Sequence, residues 1–375
     1  MARIDVFRME RMQSLYWHQV EYDLSESGVQ PLTIEELLAL AGRPSSAFLE
    51  TALGYPLSEG SEETRERIAT WYPGSSADNV TVVNGGSEAN FLALWSLLSP
   101  RDRLALMVPN YMEGWGLGRH FAGGTDVFRL KFRGGRWALD LRELEKAVRR
   151  DTKVVMVCNP NNPTGAVLSE AEMDAIVDAA RSARAWIVAD EIYRGAEIAG
   201  EEASPTFWGR YDRVVVTSGL SKAFGLPGLR VGWAVAPEKL IKDIWIRHDY
   251  TTLTPSMIGD KLCALVMEPE NREKVLARTR RIVRTNLPRL ENWIRSHDGV
   301  FRYARPLAGA IAYVTYDLPV KSSKLIDVIR EEQSVLLVPG DMFGLGKGIR
   351  FGFGLDIERT LKGLARVDEV LSSFS

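Results

Sequence analysis

The stretch "SGLSKAFGLPGLRVGW" (residues 218–233) sets one lysine and one arginine among four glycines. The apolar runs that overlap its two ends, "RVVVTSG" (213–219) and "LRVGWAVAP" (229–237), predict two strands joined by a loop. One interpretation makes Lys222 a solvated surface charge, which is the usual role of a lysine. The other makes it an amine held for chemistry, with Arg230 beside it to bind an anion. The surrounding sequence decides between them.

The composition limits the class of protein. At 375 residues the chain exceeds most single hydrophobic cores, so we expect two domains. A net charge of −2 gives no electrostatic attraction to nucleic acid or to an anionic membrane, and we expect neither as a partner. Two cysteines in apolar stretches, no secretory signal and no apolar run of membrane length predict a cytoplasmic protein. The four histidines have no metal-ligand spacing, so we expect no metal site.

Strand-like runs alternate with helical patterns from Val80 to Gly232. The predicted strands are 79–83, 103–109, 152–160, 185–191, 213–219 and 229–237. Near-continuous apolar strands with helices between them are typical of a mostly parallel sheet. We therefore predict an α/β fold in which helices cover both faces of this sheet.

The pattern changes in the C-terminal third of the chain. A charged helical stretch extends from about residue 256 to 297, with interruptions expected near Pro269 and at Pro288. Strand-like runs follow at 309–318, 334–340 and 348–354. The predicted domains are a large one, 46–275, and a smaller α+β one, 1–45 with 276–375.

Four polar or glycine-rich motifs follow predicted strands. They are "GGSEAN" (85–90), "NPNNPTG" (159–165), "DEIY" (190–193) and "SGLSK" (218–222). Ligands of open α/β sheets bind beyond the carboxyl ends of the strands. We therefore expect the four motifs to converge on one crevice.

Two of these motifs suit either a ligand or a plain turn. Gly86 and Ser87 begin a predicted helix, where backbone N–H groups bind phosphate, although Ser87 would serve equally as a simple N-cap. Asn162 lies between two prolines that fix its backbone and aim its amide. The alternative is a rigid turn in which Asn162 bonds its own backbone.

The charged candidates also have two interpretations each. Asp190 follows an apolar strand, and a buried carboxylate requires a cationic or hydrogen-bonding partner; it would also suit a helix N-cap. Lys222 could form an imine with an aldehyde cofactor. Arg230 could clamp a phosphate, and Arg350 in "GIRFGFG" a substrate carboxylate, unless they are surface charges.

Taken together, the motifs resemble the fold-type I, pyridoxal-phosphate-dependent aminotransferases of class I/II. The resemblance covers nearly the whole chain, with the motifs in the family's order. It implies that Lys222 is the Schiff-base lysine and that Asp190 pairs with the pyridine nitrogen. It also implies that Tyr193 and Asn162 donate to the 3-oxygen of pyridoxal 5'-phosphate, and that Tyr111 stacks on its ring.

The resemblance assigns the remaining contacts as well. Gly86, Ser87 and Arg230 resemble the family's phosphate cradle, and the neighbouring Glu88 is a further cofactor-binding candidate. Because Gly219 stands where many members have a serine, Ser218 and Ser221 are candidates to replace that hydroxyl. The resemblance assigns Tyr55 to the phosphate of the neighbouring subunit, which implies a homodimer. It assigns Arg350 to the substrate carboxylate, with Gly28 as a weaker candidate, and Asn162 is a further substrate-binding candidate.

The implied activity is ping-pong transfer of an amino group between an L-amino acid and a 2-oxo acid. An alternative on the same scaffold is a lyase, such as a carbon–sulfur lyase, or an elimination–cyclisation synthase, since the same Cα carbanion leads to each. A more remote alternative is a non-catalytic ligand-binding domain of this fold, against which the joint presence of Lys222, Asp190, Tyr193, Arg230 and Arg350 argues. The identity of the substrate side chain does not follow from the sequence.

Overall fold

The computed structural model describes residues 4–297 and 299–374. Its strands are β1 (Tyr22–Asp23), β2 (Val80–Val83), β3 (Arg103–Val108), β4 (Gly124–Arg133), β5 (Arg136–Leu139), β6 (Thr152–Cys158), β7 (Trp186–Asp190), β8 (Val214–Gly219), β9 (Gly232–Val235), β10 (Phe301–Tyr303), β11 (Ile311–Tyr316), β12 (Val335–Leu336), β13 (Val338–Pro339) and β14 (Gly348–Gly352).

The α-helices are α1 (Arg8–Tyr16), α2 (Ile34–Leu40), α3 (Glu62–Ala69), α4 (Gly86–Leu97), α5 (Glu113–Phe121), α6 (Leu141–Ala147), α7 (Glu170–Ala183), α8 (Glu238–His248), α9 (Met257–Met267), α10 (Pro269–Ser296), α11 (Ser322–Gln333) and α12 (Ile357–Leu371). Short 3-10 helices lie at Ser45–Phe48, Ala77–Asn79, Pro227–Leu229 and Gly340–Phe343.

The large sheet has the strand order β2-β9-β8-β7-β6-β3-β4-β5. Strands β8, β7, β6, β3 and β4 are parallel, whereas β9 is antiparallel to both of its neighbours and β5 to β4. The carboxyl ends of the parallel strands and of β2 therefore meet at the edge where β9 begins. The predicted mostly parallel sheet is confirmed.

Helices cover both faces of this sheet, as predicted. Alternate residues of the strands enter opposite clusters: Val155 and Val157 of β6 pack with α3, α7 and α9, whereas Val154 and Met156 pack with α4, α5 and α8. Successive side chains of a strand point to opposite faces, so a strand that is apolar throughout contributes to two cores.

The start of α7 shows how the sequence fixes a helix on this sheet. The Ser169 hydroxyl accepts a hydrogen bond from the Glu172 N–H, and the Glu172 carboxylate accepts one from the Ser169 N–H at 2.9 Å. This capping box satisfies backbone donors that the first turn leaves free. From there Met173, Ile176 and Val177 recur at helical spacing on the buried face.

A second, smaller sheet has the order β10-β11-β14-β13 and is antiparallel. Its core contains apolar side chains of α10, α11 and α12. Leu24 and Val29 of the N-terminal segment belong to the same core, and β1 pairs with β12. The boundaries at residues 45/46 and 275/276 stay a prediction, and residues 1–3, 298 and 375 of that prediction lie outside the described part.

One helix and several strands differ from the prediction. The expected interruption at Pro288 was wrong, because α10 continues through it. Proline removes one backbone donor, and here the buried side chains of Val283, Leu287 and Leu290 hold the helix against its core on either side of that point. The strands β4 and β5 were not predicted, although they flank the two-glycine turn at 134–135.

Within the described ranges, no helix combines the length and the hydropathy that crossing a membrane would require.

Candidate active site

A cleft of about 470 Å³ lies where the carboxyl ends of the parallel strands meet the smaller sheet and the N-terminal segment. The predicted site residues that line it are Gly86, Ser87, Tyr111, Asn162, Asp190, Tyr193, Ser221, Lys222, Arg230 and Arg350. Motifs that are up to 264 positions apart therefore contribute to one cavity, as the strand-end argument predicted.

Asp190 is the last residue of β7, at the carboxyl end of the parallel strands that borders the cleft. It pairs with Cys158 of β6 on one side and with Thr217 of β8 on the other. Its side chain is buried, and its oxygens accept hydrogen bonds from the Asn90 amide at 3.0 Å and the Ile192 N–H at 3.1 Å. Burial raises the pKa of Asp190, and it forms no ion pair with the described Lys, Arg or His residues. The protonated nitrogen of a pyridine ring would supply the missing cation, so this residue fits pyridoxal 5'-phosphate.

Asn90 supports Asp190 and was not predicted. Its Nδ2 donates to Asp190 and also to the Glu113 carboxylate at 3.1 Å, while its Oδ1 accepts from the Thr217 hydroxyl at 2.6 Å. Burial raises the pKa of Glu113 well above its usual value. The spacing from Gly86 to Asn90 is one helical turn along α4, which is the signal that places both on the face towards the cleft.

Lys222 follows β8, and its side chain is one-quarter exposed. Its Nζ lies 2.9 Å from Oε1 of Glu26, which also accepts a hydrogen bond from the Gly28 N–H at 2.6 Å. The positive charge of Lys222 lowers the pKa of Glu26 to about 2. Gly28 does not line the cleft, but a Cβ built on it would lie 3.7 Å from Cδ of Lys222.

The N-terminus of α4 forms a cradle with Arg230. Gly85 precedes the helix at a φ of 97° and, among the described residues, no side chain caps the first turn. A Cβ on Gly85 would lie closer to the Arg230 guanidinium than van der Waals contact allows. Glycine therefore lets the guanidinium approach the start of α4. Ser87 and Ser221 line the same part of the cleft. Free helical N–H groups, hydroxyls and a guanidinium fit a phosphate group.

The structure separates the two serine candidates near Gly219. A Cβ on Gly219 would lie 2.7 Å from the Val231 carbonyl oxygen, which explains why no serine stands there. Ser221 faces Arg230, with 3.5 Å between its Oγ and Nη1 of the arginine. Ser218 is buried and its hydroxyl donates to the Glu191 carbonyl, away from the cleft.

Arg350 and Asn162 form the end of the cleft nearest the smaller sheet. Arg350 is 1% exposed; its Nη1 donates to Oδ1 of Asn162 at 2.9 Å and its Nη2 to the Ser25 carbonyl at 2.6 Å. Its Nε has no hydrogen-bond partner among the described residues, and burial lowers the pKa of the guanidinium. A buried cation with a spare donor fits a carboxylate.

Tyr193 and Tyr111 also line the cleft. Burial raises the pKa of Tyr193, which keeps its hydroxyl protonated as a donor. The Tyr111 hydroxyl donates to the Glu10 carboxylate at 2.7 Å, and its ring packs edge-on against Phe7. Glu10 lies on α1 and was not predicted, because no motif marked that helix.

Two other predicted residues lie outside the cleft. The Glu88 carboxylate accepts hydrogen bonds from the Asn84 N–H at 2.6 Å and the Thr252 hydroxyl at 2.8 Å. Tyr55 is 83% exposed beside a separate groove. Their cofactor-binding roles stay predictions.

Comparisons with known proteins agree with this geometry. The model of the family "Aminotransferase class I and II" matches residues 34–367. The capreomycidine synthase of Streptomyces vinaceus is 28% identical over 366 residues, which cover 95% of this chain and 91% of that protein.

Two solved structures superpose on nearly the whole chain. A PLP-dependent aminotransferase from Streptococcus suis has a TM-score of 0.92 at 28% identity, over 100% of this chain and 99% of that one. The PLP-dependent cyclase OrfR has a TM-score of 0.86 at 29% identity, over 100% and 98%. The chain has the fold of the fold-type I enzymes and belongs to the class I and II aminotransferase family, whose members use pyridoxal 5'-phosphate.

Proposed function

We propose that the protein is an aminotransferase that moves an amino group between an L-amino acid and a 2-oxo acid by a ping-pong route. The observation that carries this proposal is the presence of Lys222, Asp190 and Arg350 in one cleft, where they supply an amine, an uncompensated buried carboxylate and a spare carboxylate-binding donor.

The cofactor would be held at three places. Arg230, Ser87, Ser221 and the first N–H groups of α4 would bind its phosphate. Asp190 would keep its ring nitrogen protonated, because an opposite charge at close range favours the charged form. Tyr193 and the amide NH₂ of Asn162 would donate to its 3-oxygen, since Oδ1 of Asn162 is already turned to Arg350.

Once bound, pyridoxal 5'-phosphate withdraws electrons from the substrate Cα. Lys222 would hold the cofactor through its amine and, once the substrate has taken its place there, would lie next to the substrate Cα. Its free amine would accept the Cα proton and return it as a general base and acid. Arg350 orients the substrate by its carboxylate, which keeps the Cα–H bond within reach of Lys222.

A second candidate is an elimination–cyclisation synthase, favoured by the similarity to capreomycidine synthase and to the cyclase OrfR. Both activities begin with removal of the Cα proton. The residues that bind the cofactor and move this proton therefore serve either reaction.

A stoichiometry measurement separates the two candidates. With an excess of amino acid and no 2-oxo acid, an aminotransferase releases about one equivalent of 2-oxo acid per subunit and stops, because its amino group has no acceptor. Adding a second 2-oxo acid should restart turnover, and protein freed of cofactor is the control. Continued formation of ammonia or of a cyclised product without an acceptor would contradict amino transfer and favour the synthase or lyase.

We also propose a homodimer in the cytoplasm. The groove beside Tyr55 is lined by Asn84 and by residues of two segments, 53–56 and 252–258, and its Leu53 and Tyr55 expose about four-fifths of their surface. Large exposed apolar side chains along a groove are typical of an interface. Light scattering is expected to give twice the chain mass of 41.9 kDa, and a monomer would contradict the proposal.

Cys158 and Cys263 are buried free thiols, which supports a reducing compartment.

A further inference from the structure

Two carboxylates in the cleft have no role in the proposed cofactor chemistry. Glu10 comes from α1 and Glu26 from the segment after β1, and both line the same cavity as Arg350 and Lys222. Nothing in the sequence motifs marked either residue.

In the proposed function, the cofactor and the substrate supply partners of opposite charge for Arg230, Asp190 and Arg350 but not for Glu10 and Glu26. Arg230 faces the cofactor phosphate, Asp190 the ring nitrogen and Arg350 the substrate carboxylate. Arg350 is buried, lines the cleft and forms no ion pair with a carboxylate among the described residues, so its charge is left for an anionic group of a ligand. Glu10 and Glu26 then remain. Among the described cleft residues Lys222 is the one cation that forms an ion pair with either of them, and the proposed function uses Lys222 for the cofactor and the Cα proton.

Glu26 depends on the charge of Lys222. Lys222 holds the pKa of Glu26 at about 2, so Glu26 is ionised. To accept the Cα proton, however, Lys222 must be a neutral amine, and a neutral amine does not balance the charge of Glu26. A largely buried carboxylate needs another cation at that moment.

Glu10 forms no ion pair among the described residues, although its charge acts on Arg350. Its Oε1 accepts a hydrogen bond from the Tyr111 hydroxyl at 2.7 Å, which satisfies an oxygen without compensating the charge. Met9 and Trp17 line the cleft from the same helical segment and offer apolar surface to a methylene chain.

We propose that the cleft binds amino acids whose side chain ends in a cationic group, an ammonium or a guanidinium, with Glu26 and Glu10 as the subsite for that group. This inference rests on the proposed function. The methylenes of the substrate lie against Met9 and Trp17, and the cation replaces Lys222 as the partner of Glu26. Aspartate and glutamate are disfavoured, since a second carboxylate would meet like charges there.

Binding of two isosteric ligands to the holoenzyme tests the proposal. The ligands 2-methylornithine and 2-methylnorleucine lack the Cα proton, so calorimetry measures binding without turnover. Because a hydrogen bond to a charged group contributes more than a neutral one, the cationic ligand should bind about 10-fold to 100-fold more tightly. Equal affinities in a protein that has taken up pyridoxal 5'-phosphate would overturn this inference alone. A protein that does not take up the cofactor would overturn the proposed function, and the inference with it.

Variants locate the subsite. In Glu26→Gln the preference for the cationic ligand should fall to within about 3-fold, and in Glu10→Gln it should fall by a smaller factor. The control is Glu21→Gln, an exposed carboxylate five positions before Glu26 that does not line the cleft; it should keep the full preference. The ratio of the two affinities is insensitive to a general loss of binding. If Glu26→Gln does not fold, Glu10→Gln still decides, and an unchanged ratio in the variants that fold would overturn the proposal.

Discussion

Replacing Lys222 by alanine will lower the rate of amino transfer by about 10⁴-fold or more. The variant loses the covalent link to the cofactor and the base that moves the Cα proton, and proton transfer by a positioned side chain alone contributes about 10²-fold to 10⁴-fold. The measurement is a single-turnover reaction of the cofactor-loaded variant with an amino acid, followed by the appearance of 2-oxo acid.

Lys222→Arg is the matched control for charge. Arginine keeps a cation opposite Glu26, whose carboxylate lies 2.9 Å from the lysine Nζ, but it does not exchange protons near neutral pH and does not condense with an aldehyde. We expect Lys222→Arg to unfold at nearly the wild-type temperature and to be as inactive as Lys222→Ala. Substantial activity in the arginine variant would show that Lys222 contributes only its charge.

Replacing Asp190 by asparagine will lower the turnover number by about 10²-fold to 10³-fold, the usual effect of removing one preorganised electrostatic contact. Asparagine has the shape of aspartate and can accept one of the two hydrogen bonds from Asn90 and Ile192, but it carries no charge to keep the ring nitrogen protonated. The loss should appear mainly in kcat, because the phosphate and carboxylate contacts are unchanged. Steady-state kinetics with saturating cofactor measure it.

Glu191→Gln is the control for this prediction. Glu191 is the next residue and is also buried, but its carboxylate accepts hydrogen bonds from the Phe207 N–H at 2.8 Å and the Thr206 hydroxyl at 2.9 Å, away from the cleft. Burial raises the pKa of Glu191 to about 7, so glutamine resembles its protonated form. This variant should keep kcat within about 3-fold. Equal losses in both variants would mean that Asp190 acts through folding.

The large sheet was predictable because its strands are apolar on both faces. The run at 152–158 fills two cores with alternate residues, which leaves no polar face to confuse the pattern. The hairpin of β4 and β5 was missed because most of β4 is only partly buried and carries charges. Pro288 misled the prediction, since tertiary packing of α10 outweighs the loss of one donor.

The cofactor end of the site was predictable for a topological reason. Motifs after parallel strands meet at one edge, so Asp190 and Lys222 could be placed together without knowing any distance. Glu26 pairs with a lysine 196 positions away and follows a two-residue strand that has no clear pattern. Glu10 reaches the cleft through the packing of α1, which the sequence does not specify, whereas the one-turn spacing from Gly86 could have placed Asn90 there.

The most direct test of the central claim is to fix the link between the protein and the cofactor. Sodium borohydride reduces the carbon–nitrogen double bond of an imine to a stable single bond. The protein is then digested, and the masses of its peptides are measured by mass spectrometry. The account predicts that the cofactor mass is found on the peptide that contains Lys222. Attachment to another lysine, or no attachment in a protein that has bound the cofactor, would contradict it.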